Sequence, residues 1–241
     1  MRTSGPSSIA IDALRCRLGE REVICGIDLL LQDRRIGILG RNGSGKSTLA
    51  RAMAGLIDPA SGRVTIDGAD IARDRRAALA KVGILFQNPE HQIIFPTVLE
   101  EVRFGLEQMG HPKPEAARRA RAALKRFGRG DWGGRSTAAL SQGQKHLLCL
   151  ISLLAMEPAV LILDEPFSGL DIPTERALRR VLASYPGTLV QITHDPQVVA
   201  GYERVLWIEA GGLRADGPPG QVIPDYLAEM TAEGADAFAD L

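Results

Sequence analysis

The sequence predicts an α/β fold with a mostly parallel sheet, a short antiparallel β segment and an inserted block of helices. Three observations carry this. Short apolar runs alternate with segments of helical spacing; a glycine-rich turn joins one such run to a helix; and from Thr97 to about Met156 the pattern changes to helices with one glycine-rich break.

Ile36-Gly37-Ile38-Leu39 is an apolar run that enters the glycine-rich turn, and Ser47 to Leu56 comes next with helical spacing. Together they read as strand, loop, helix. Val23 to Leu31 is strand material. Gly62 to Gly68 alternates and ends in Asp67-Gly68, as an antiparallel strand entering a turn does. Val82 to Phe86 is a further buried strand. The helical block comprises Val98 to Gln108, Pro114 to Phe127, a glycine-rich break at Gly128 to Gly134, and Gly143 to Met156. Strands resume at Val160 to Leu163, Thr188 to Thr193 and Val205 to Ile208, with a helix over Thr174 to Ser184. The acidic, alanine-rich stretch Ala228 to Leu241 is expected to be partly without fixed structure.

Lys plus Arg and Asp plus Glu each number 29 among 241 residues, so the formal charge is zero. No global field draws the chain to nucleic acid or to an anionic membrane, and partners have to be found by local chemistry. Cys16, Cys25 and Cys149 are widely spaced, without metal-ligand patterns, and are expected as reduced, buried thiols of a cytosolic protein. Met1 to Ser8 lacks the apolar core of a signal peptide, so secretion is not expected. The most apolar stretch, Leu147 to Leu163, is broken by Ser152 and Glu157-Pro158 and is too short to span a bilayer unaided.

Gly40-Arg41-Asn42-Gly43-Ser44-Gly45-Lys46-Ser47-Thr48 fits the phosphate-loop pattern G-x-x-x-x-G-K-[ST]. Backbone N–H groups of such a loop point at phosphate oxygens, and the helix after it presents its positive end. Lys46 then neutralises the β- and γ-phosphates while the Ser47 hydroxyl binds Mg²⁺. Val160 to Leu163 runs into Asp164 and Glu165, two carboxylates at the carboxyl end of a strand. Asp164 is expected to hold Mg²⁺, and Glu165 to polarise the attacking water. The alternatives are a structural glycine turn for the first motif and a strand followed by an N-capping Asp for the second.

Leu140-Ser141-Gln142-Gly143-Gln144 resembles the Leu-Ser-Gly-Gly-Gln signature that separates ABC ATPases from other phosphate-loop proteins. The other ABC motifs match in order: Gln87 after a strand, Ser168-Gly169-Leu170-Asp171, and Thr193-His194-Asp195 after a strand. The resemblance covers about Val23 to Gly217. It implies a P-loop NTPase fold with a RecA-like α/β core, an antiparallel β subdomain and an inserted α-helical subdomain. It divides the chain into a catalytic lobe (1–88 and 157–217), a helical lobe carrying the signature (89–156) and a short C-terminal tail (218–241). It further implies ATP and Mg²⁺ as cofactors, with Gly40, Asn42, Gly43, Ser44, Gly45, Lys46, Ser47 and Thr48 on the phosphates, Gln87 on the metal and the attacking water, and His194 on the γ-phosphate. Ser141, Gly143, Gln144 and Asp171 would contact nucleotide held by a second ABC ATPase subunit, joined head to tail and expected as a homodimer. Gln87 taken alone would read as a polar residue at a strand end, and His194 alone as a satisfied loop histidine.

Within the ABC class, Phe86-Gln87-Asn88-Pro89, Gln92, Thr97-Val98 and Phe104-Gly105 resemble the corresponding segment of energy-coupling factor (ECF) ATPases. There the helix after the Q-loop lines a groove that receives a transmembrane T-component. Glu100 and Glu101 are then candidate acidic partners for that component, with a solvated helix face as the alternative. Arg34 to Gly40, Phe95-Pro96 and the short C-terminus resemble the biotin-transport branch, in which a separate S-component binds the vitamin. Cobalt, nickel or other-vitamin ECF systems are the alternative. The implied place is the cytoplasmic face of the cell membrane, with no nucleic-acid partner.

Other classes fit less well. A phosphate-loop kinase has no use for Leu140 to Gln144. ABC proteins of DNA repair carry long heptad inserts, those of translation carry two cassettes, and those of iron–sulfur assembly lack this Q-loop segment. Three departures stand out. Gln142 replaces the usual glycine, so a backbone needing positive φ would be strained and activity reduced. Leu147 stands where many relatives have arginine. The region Leu14 to Glu22 lacks an aromatic to stack on adenine, leaving Arg15, Arg17 or no residue in that role.

Overall fold

The computed structural model describes residues 5–167 and 169–236. The described residues form two compact units, one of Gly5 with Asp74–Leu189 and one of Pro6–Arg73 with residues 190–236.

In chain order the second unit begins with β1 (Ile9–Leu18) and β2 (Arg21–Leu31), then β3 (Arg35–Leu39), α1 (Lys46–Met53), β4 (Ser61–Ile66) and β5 (Ala69–Asp70). β1, β2, β4 and β5 form an antiparallel sheet in the order β2-β1-β4-β5. β1 is not among the strands the sequence predicts, because its apolar pattern changes phase: Ile9 and Ile11 are buried at odd positions, Leu14 and Cys16 at even ones. The pairing shifts register between Ile11 and Leu14, and Ala13 sits at φ +43°. This is a bulge, which resets which face each residue occupies. Gly62 lies against it; a Cβ there would stand 2.3 Å from the Ala13 carbonyl oxygen.

The first unit carries α2 (Arg75–Lys81), β6 (Val82–Leu85), α3 (Val98–Gln108), α4 (Lys113–Arg126), α5 (Gln142–Met156), β7 (Val160–Asp164) and α6 (Ile172–Ala183). β6 and β7 are parallel, with Leu85 opposite Leu163. The three helices α3, α4 and α5 pack on one another. α4 offers small residues to that packing, burying Ala116, Ala120 and Leu124. α5 is buried over most of its surface, from His146 to Leu154, which explains its almost unbroken apolar composition. Among the described residues no helix is long and apolar enough to cross a membrane.

The division between units falls within β8 (Thr188–Ile192), after which the chain continues as α7 (Pro196–Val199), β9 (Arg204–Glu209), β10 (Gly212–Gly217) and α8 (Pro219–Asp236). In the second unit β9 pairs parallel with β3 and antiparallel with β10. One expectation is narrowed here and one is corrected. The stretch from Ala228 is helical as far as Asp236, because α8 is anchored: Val222 and Tyr226 join Leu39, Val205 and Trp207 in one core. Residues 1–4 and 237–241 lie outside the described residues. Cys16 and Cys149 are buried as expected, but Cys25 is exposed; burial pushes the Cys149 thiol up to about 12.

The Tyr226 ring meets the Trp207 indole edge-on, with centroids 5.5 Å apart. Tyr226→Ala is expected to cost about 3 kcal/mol of stability, read as a shift of the denaturant midpoint. A shift below about 0.5 kcal/mol, the size of a surface substitution, would mean that α8 is not part of the core.

Candidate nucleotide-binding site

In the second unit, β3 delivers the chain to Gly40, and three glycines shape the loop that leads into α1. Gly40, Gly43 and Gly45 have φ of +149°, +81° and +106°. Gly40 is also a close approach: a Cβ would lie 2.1 Å from the Ile208 carbonyl oxygen and 2.8 Å from Ser44 Oγ. Asn42 and Gly43 form the exposed tip, and Ser44, Gly45, Lys46 and Thr48 are buried. α1 begins at Lys46 with Gly45 as its N-cap and no side-chain cap, so the positive end of the helix faces the loop. Lys46 is only 8% exposed; its ammonium donates to the carbonyls of Gly40 (2.7 Å) and Arg41 (2.6 Å). Ser44 Oγ is buried without a hydrogen-bond partner.

A brace that sequence reasoning missed holds this loop. The Gly211 N–H donates to the Ser44 carbonyl (2.9 Å), and the Cys25 N–H donates to the Gly211 carbonyl (2.9 Å). The loop is thus tied through the β9–β10 turn to β2. Gly211 has φ +79°, and a Cβ would stand 2.4 Å from the Val23 carbonyl oxygen. The only available signal was Ala210-Gly211-Gly212 after an apolar strand, a turn pattern with nothing to mark it as support for another loop.

His194 lies in the same unit. The Thr193 N–H donates to the Ile38 carbonyl (3.1 Å), so His194 leaves β8 at the end where β3 turns into Gly40. It is exposed. The next residue, Asp195, caps α7 by accepting from the Gln197 N–H (2.9 Å), and α7 lies close on β3, since a Cβ on Gly37 would meet Val199 Cβ at 2.7 Å.

In the first unit the parallel register of β6 and β7 brings Gln87, Asp164 and Glu165 to one edge. Gln87 is exposed two residues beyond β6, and Asp164 is 8% exposed. Glu165 turns the chain off the strand at φ +50°. A left-handed glutamate is a strained conformation costing about 1–3 kcal/mol.

Ser141 caps α5 in a capping box. The Gln144 N–H donates to Ser141 Oγ (3.3 Å), and the Ser141 N–H donates to Gln144 Oε1 (3.1 Å). The strain argument for Gln142 is overturned: it is the first residue of α5 and is not among the residues with positive φ. Glycine matters at Gly143 instead, where a Cβ would stand 2.7 Å from the Gly169 carbonyl oxygen. Asp171 caps α6, accepting from the Thr174 N–H (2.8 Å); its hydrogen bonds to Thr174, aided by Arg129, hold its carboxyl below the usual range. Ser168 lies outside the described residues. Gln142 Nε2 and Lys145 Nζ both donate to Glu90 Oε1, at 3.0 and 2.7 Å.

The remaining expectations divide. Glu101 is not a surface acid: it is 7% exposed and accepts from the N–H groups of Ile94 (3.0 Å) and Phe95 (2.9 Å). Glu100 closes a cap with Thr97. Leu147 is core. Arg15 donates to Glu22 (2.8 Å) and lies over Gly26, a Cβ there meeting Arg15 Nη2 at 3.2 Å.

An N–H-rich loop with an unsatisfied buried hydroxyl, a buried ammonium and an uncapped helix suits the oxygens of a nucleoside triphosphate. Gly211→Ala strains the brace by about 1–3 kcal/mol and is expected to weaken ATP binding measured by calorimetry; unchanged affinity would show the brace to be dispensable.

The ABC transporter family matches this chain over residues 29–168. The biotin transport ATP-binding protein BioM of Rhodobacter capsulatus is 51% identical, over 87% of this chain and 90% of its own length. The energy-coupling factor transporter ATP-binding protein EcfA of Methanothermobacter thermautotrophicus is 37% identical, over 83% of this chain and 67% of its own. Among solved structures, cbiO1 of Clostridium perfringens, part of the ABC transporter complex cbiONQ, superposes with a TM-score of 0.75 at 31% identity, covering 90% of this chain and 91% of that one. The chain belongs to the ABC transporter family and is an ATP-binding ATPase of that family.

Proposed function

We propose that this ATPase energises an ECF-type importer and that its cargo is a vitamin, with biotin the favoured one. The observation that carries the choice of cargo is the identity with the biotin transport relative over most of both chains. The Q-loop segment Phe86 to Gly105, with its ECF-like pattern, supports the class. The alternative within the class is a cobalt, nickel or other-vitamin system, favoured by the likeness to cbiO1.

In this reading Gly40, Asn42, Gly43, Ser44, Gly45 and Thr48 present the phosphate loop, and Lys46 exchanges its bonds to loop carbonyls for phosphate oxygens. Ser47, Gln87 and Asp164 would hold Mg²⁺. When bound, ATP would supply the phosphoanhydride and Mg²⁺ would supply positive charge to offset that of the phosphates. Glu165 accepts a hydrogen bond from the attacking water and polarises it, and His194 reaches the γ-phosphate. Ser141, Gly143, Gln144 and Asp171 serve the nucleotide of a second ATPase subunit, so the working unit is a head-to-tail dimer. Nucleotide that binds the closed dimer better than the open one shifts that equilibrium, which moves whatever is attached.

The attached partners are a transmembrane T-component of the BioN type, docked on the helical lobe (89–156), and an S-component of the BioY type that binds the vitamin. The chain would sit on the cytoplasmic face of the membrane. Lobes of 1–88 with 157–217, and 89–156, would then be the moving parts.

Glu165→Gln is expected to keep ATP affinity while turnover falls about 10²- to 10⁴-fold, with ATP-bound dimers accumulating on size-exclusion chromatography. Undiminished turnover in that variant would refute the role. The tagged chain, extracted from membranes, is expected to co-purify with a multi-span T-component; recovery of soluble partners alone would sink the importer reading.

A further inference from the structure

Zero net charge conceals a strong local segregation. The 23 residues from Lys113 to Arg135 hold eight basic side chains and two acidic ones, although the whole chain balances at 29 of each. Six of the basic residues lie on α4, whose only acid is Glu115. Packing fixes which way they face. Ala116, Ala120 and Leu124 form the buried stripe, and Arg118, Arg119, Arg121, Lys125 and Arg126 are all exposed.

Glu115 does not cancel this charge, because Arg118 (2.7 Å) and Arg119 (2.8 Å) share it. Fourteen residues of helix extend about 21 Å. Neighbouring basic residues three or four apart on the helix lie about 5–6 Å from one another, within the screening length of about 8 Å at physiological salt, so the charges form a continuous positive strip. Such a strip costs self-repulsion unless an extended anionic surface faces it.

We propose that the outward face of α4 docks on the anionic headgroups of a lipid bilayer. Charge complementarity selects an anionic surface. A bilayer is favoured because the chain belongs to the ABC transporter family. Nucleic acid is disfavoured by the ring at hand: Trp132 is 5% exposed, with the guanidinium groups of Arg129 and Arg135 at 5.1 and 5.7 Å from its centroid, and so offers no open face for base stacking. The choice of bilayer rests on the membrane-bound reading above, but the contact is with lipid and needs no T-component.

The test is sedimentation of the purified full-length chain with vesicles of phosphatidylcholine alone or with about 30 mol % phosphatidylglycerol. Binding is expected only to the anionic vesicles, and release is expected near 1 M salt, where screening falls to about 3 Å. Arg121→Gln and Lys125→Gln should each lower partitioning about fivefold, the ratio set by one basic residue at such a surface. Arg73→Gln, which removes an arginine 89% exposed in the other unit, should leave it unchanged. Thermal melts of the three variants check that the fold is kept. Equal binding to both vesicle types, equal effects of all three substitutions, or tighter binding to duplex DNA than to the anionic vesicles at the same salt would each overturn the proposal. Such a failure leaves the ATPase assignment standing, since the Glu165 variant tests that without lipid.

Discussion

Two backbone hydrogen bonds, from Cys25 to Gly211 and from Gly211 to Ser44, hold the glycine loop in place. A loop with three positive-φ glycines is entropically costly to order, and the bonds described within it are local ones, from the Ser44 N–H to the Arg41 carbonyl and from Lys46 Nζ to the carbonyls of Gly40 and Arg41. Without the Gly211 brace the N–H groups ahead of α1 would lack a fixed direction. The close approaches at Gly40 and Gly45, to Ile208 and Val23, belong to the same joint. Three sequence segments far apart in the chain, at Val23 to Cys25, Gly40 to Gly45 and Ile208 to Gly211, therefore converge on one joint, and Gly40, Gly45 and Gly211 have no room there for a Cβ.

This explains what the sequence made legible and what it hid. Local signals with one dominant period were readable: the ends of Val98–Gln108 coincide with the apolar pattern, and the strand, loop and helix around Gly40 obey their motif. β1 was hidden because a bulge at Ala13 splits its alternation into two half-strands of opposite phase. α8 was obscured because acidity and alanine content signal solvation, while its fixed position depends on Val222 and Tyr226 meeting Trp207, a contact only folding creates. The brace and the burial of Glu101 belong to the same kind, since a carboxylate that caps two N–H groups cannot be told from a solvated one in sequence.

The signature shows how a motif can be right while the reason given for it is wrong. Gln142 looks costly in sequence because glycine usually permits positive φ, but the chain enters α5 there with ordinary helical geometry. A side chain is tolerated because it points into company: its amide donates to Glu90. One residue on, the Gly169 carbonyl leaves no room for a Cβ. The constraint on glycine is steric at Gly143 and absent at Gln142, and it ties the start of α5 to the loop before α6.

Glu90 binds two donors of α5, yet little stability results. The side chains of Lys145 and Glu90 are 17% and 49% exposed, a setting in which an ion pair contributes under about 1 kcal/mol. Packing does more to hold the turn after Gln87 on α5, since Pro89 is buried and its carbonyl meets the buried Cys149 thiol at 3.8 Å. What the ion pair adds is register. Both donors converge on a single oxygen, Glu90 Oε1, so a rotation of α5 about its axis or a slide along it would lengthen at least one bond. The turn carrying Glu90 and the helix start carrying Ser141 are thereby coupled as one piece, and any displacement of the segment after Gln87 reaches the capped end of α5 with little slack.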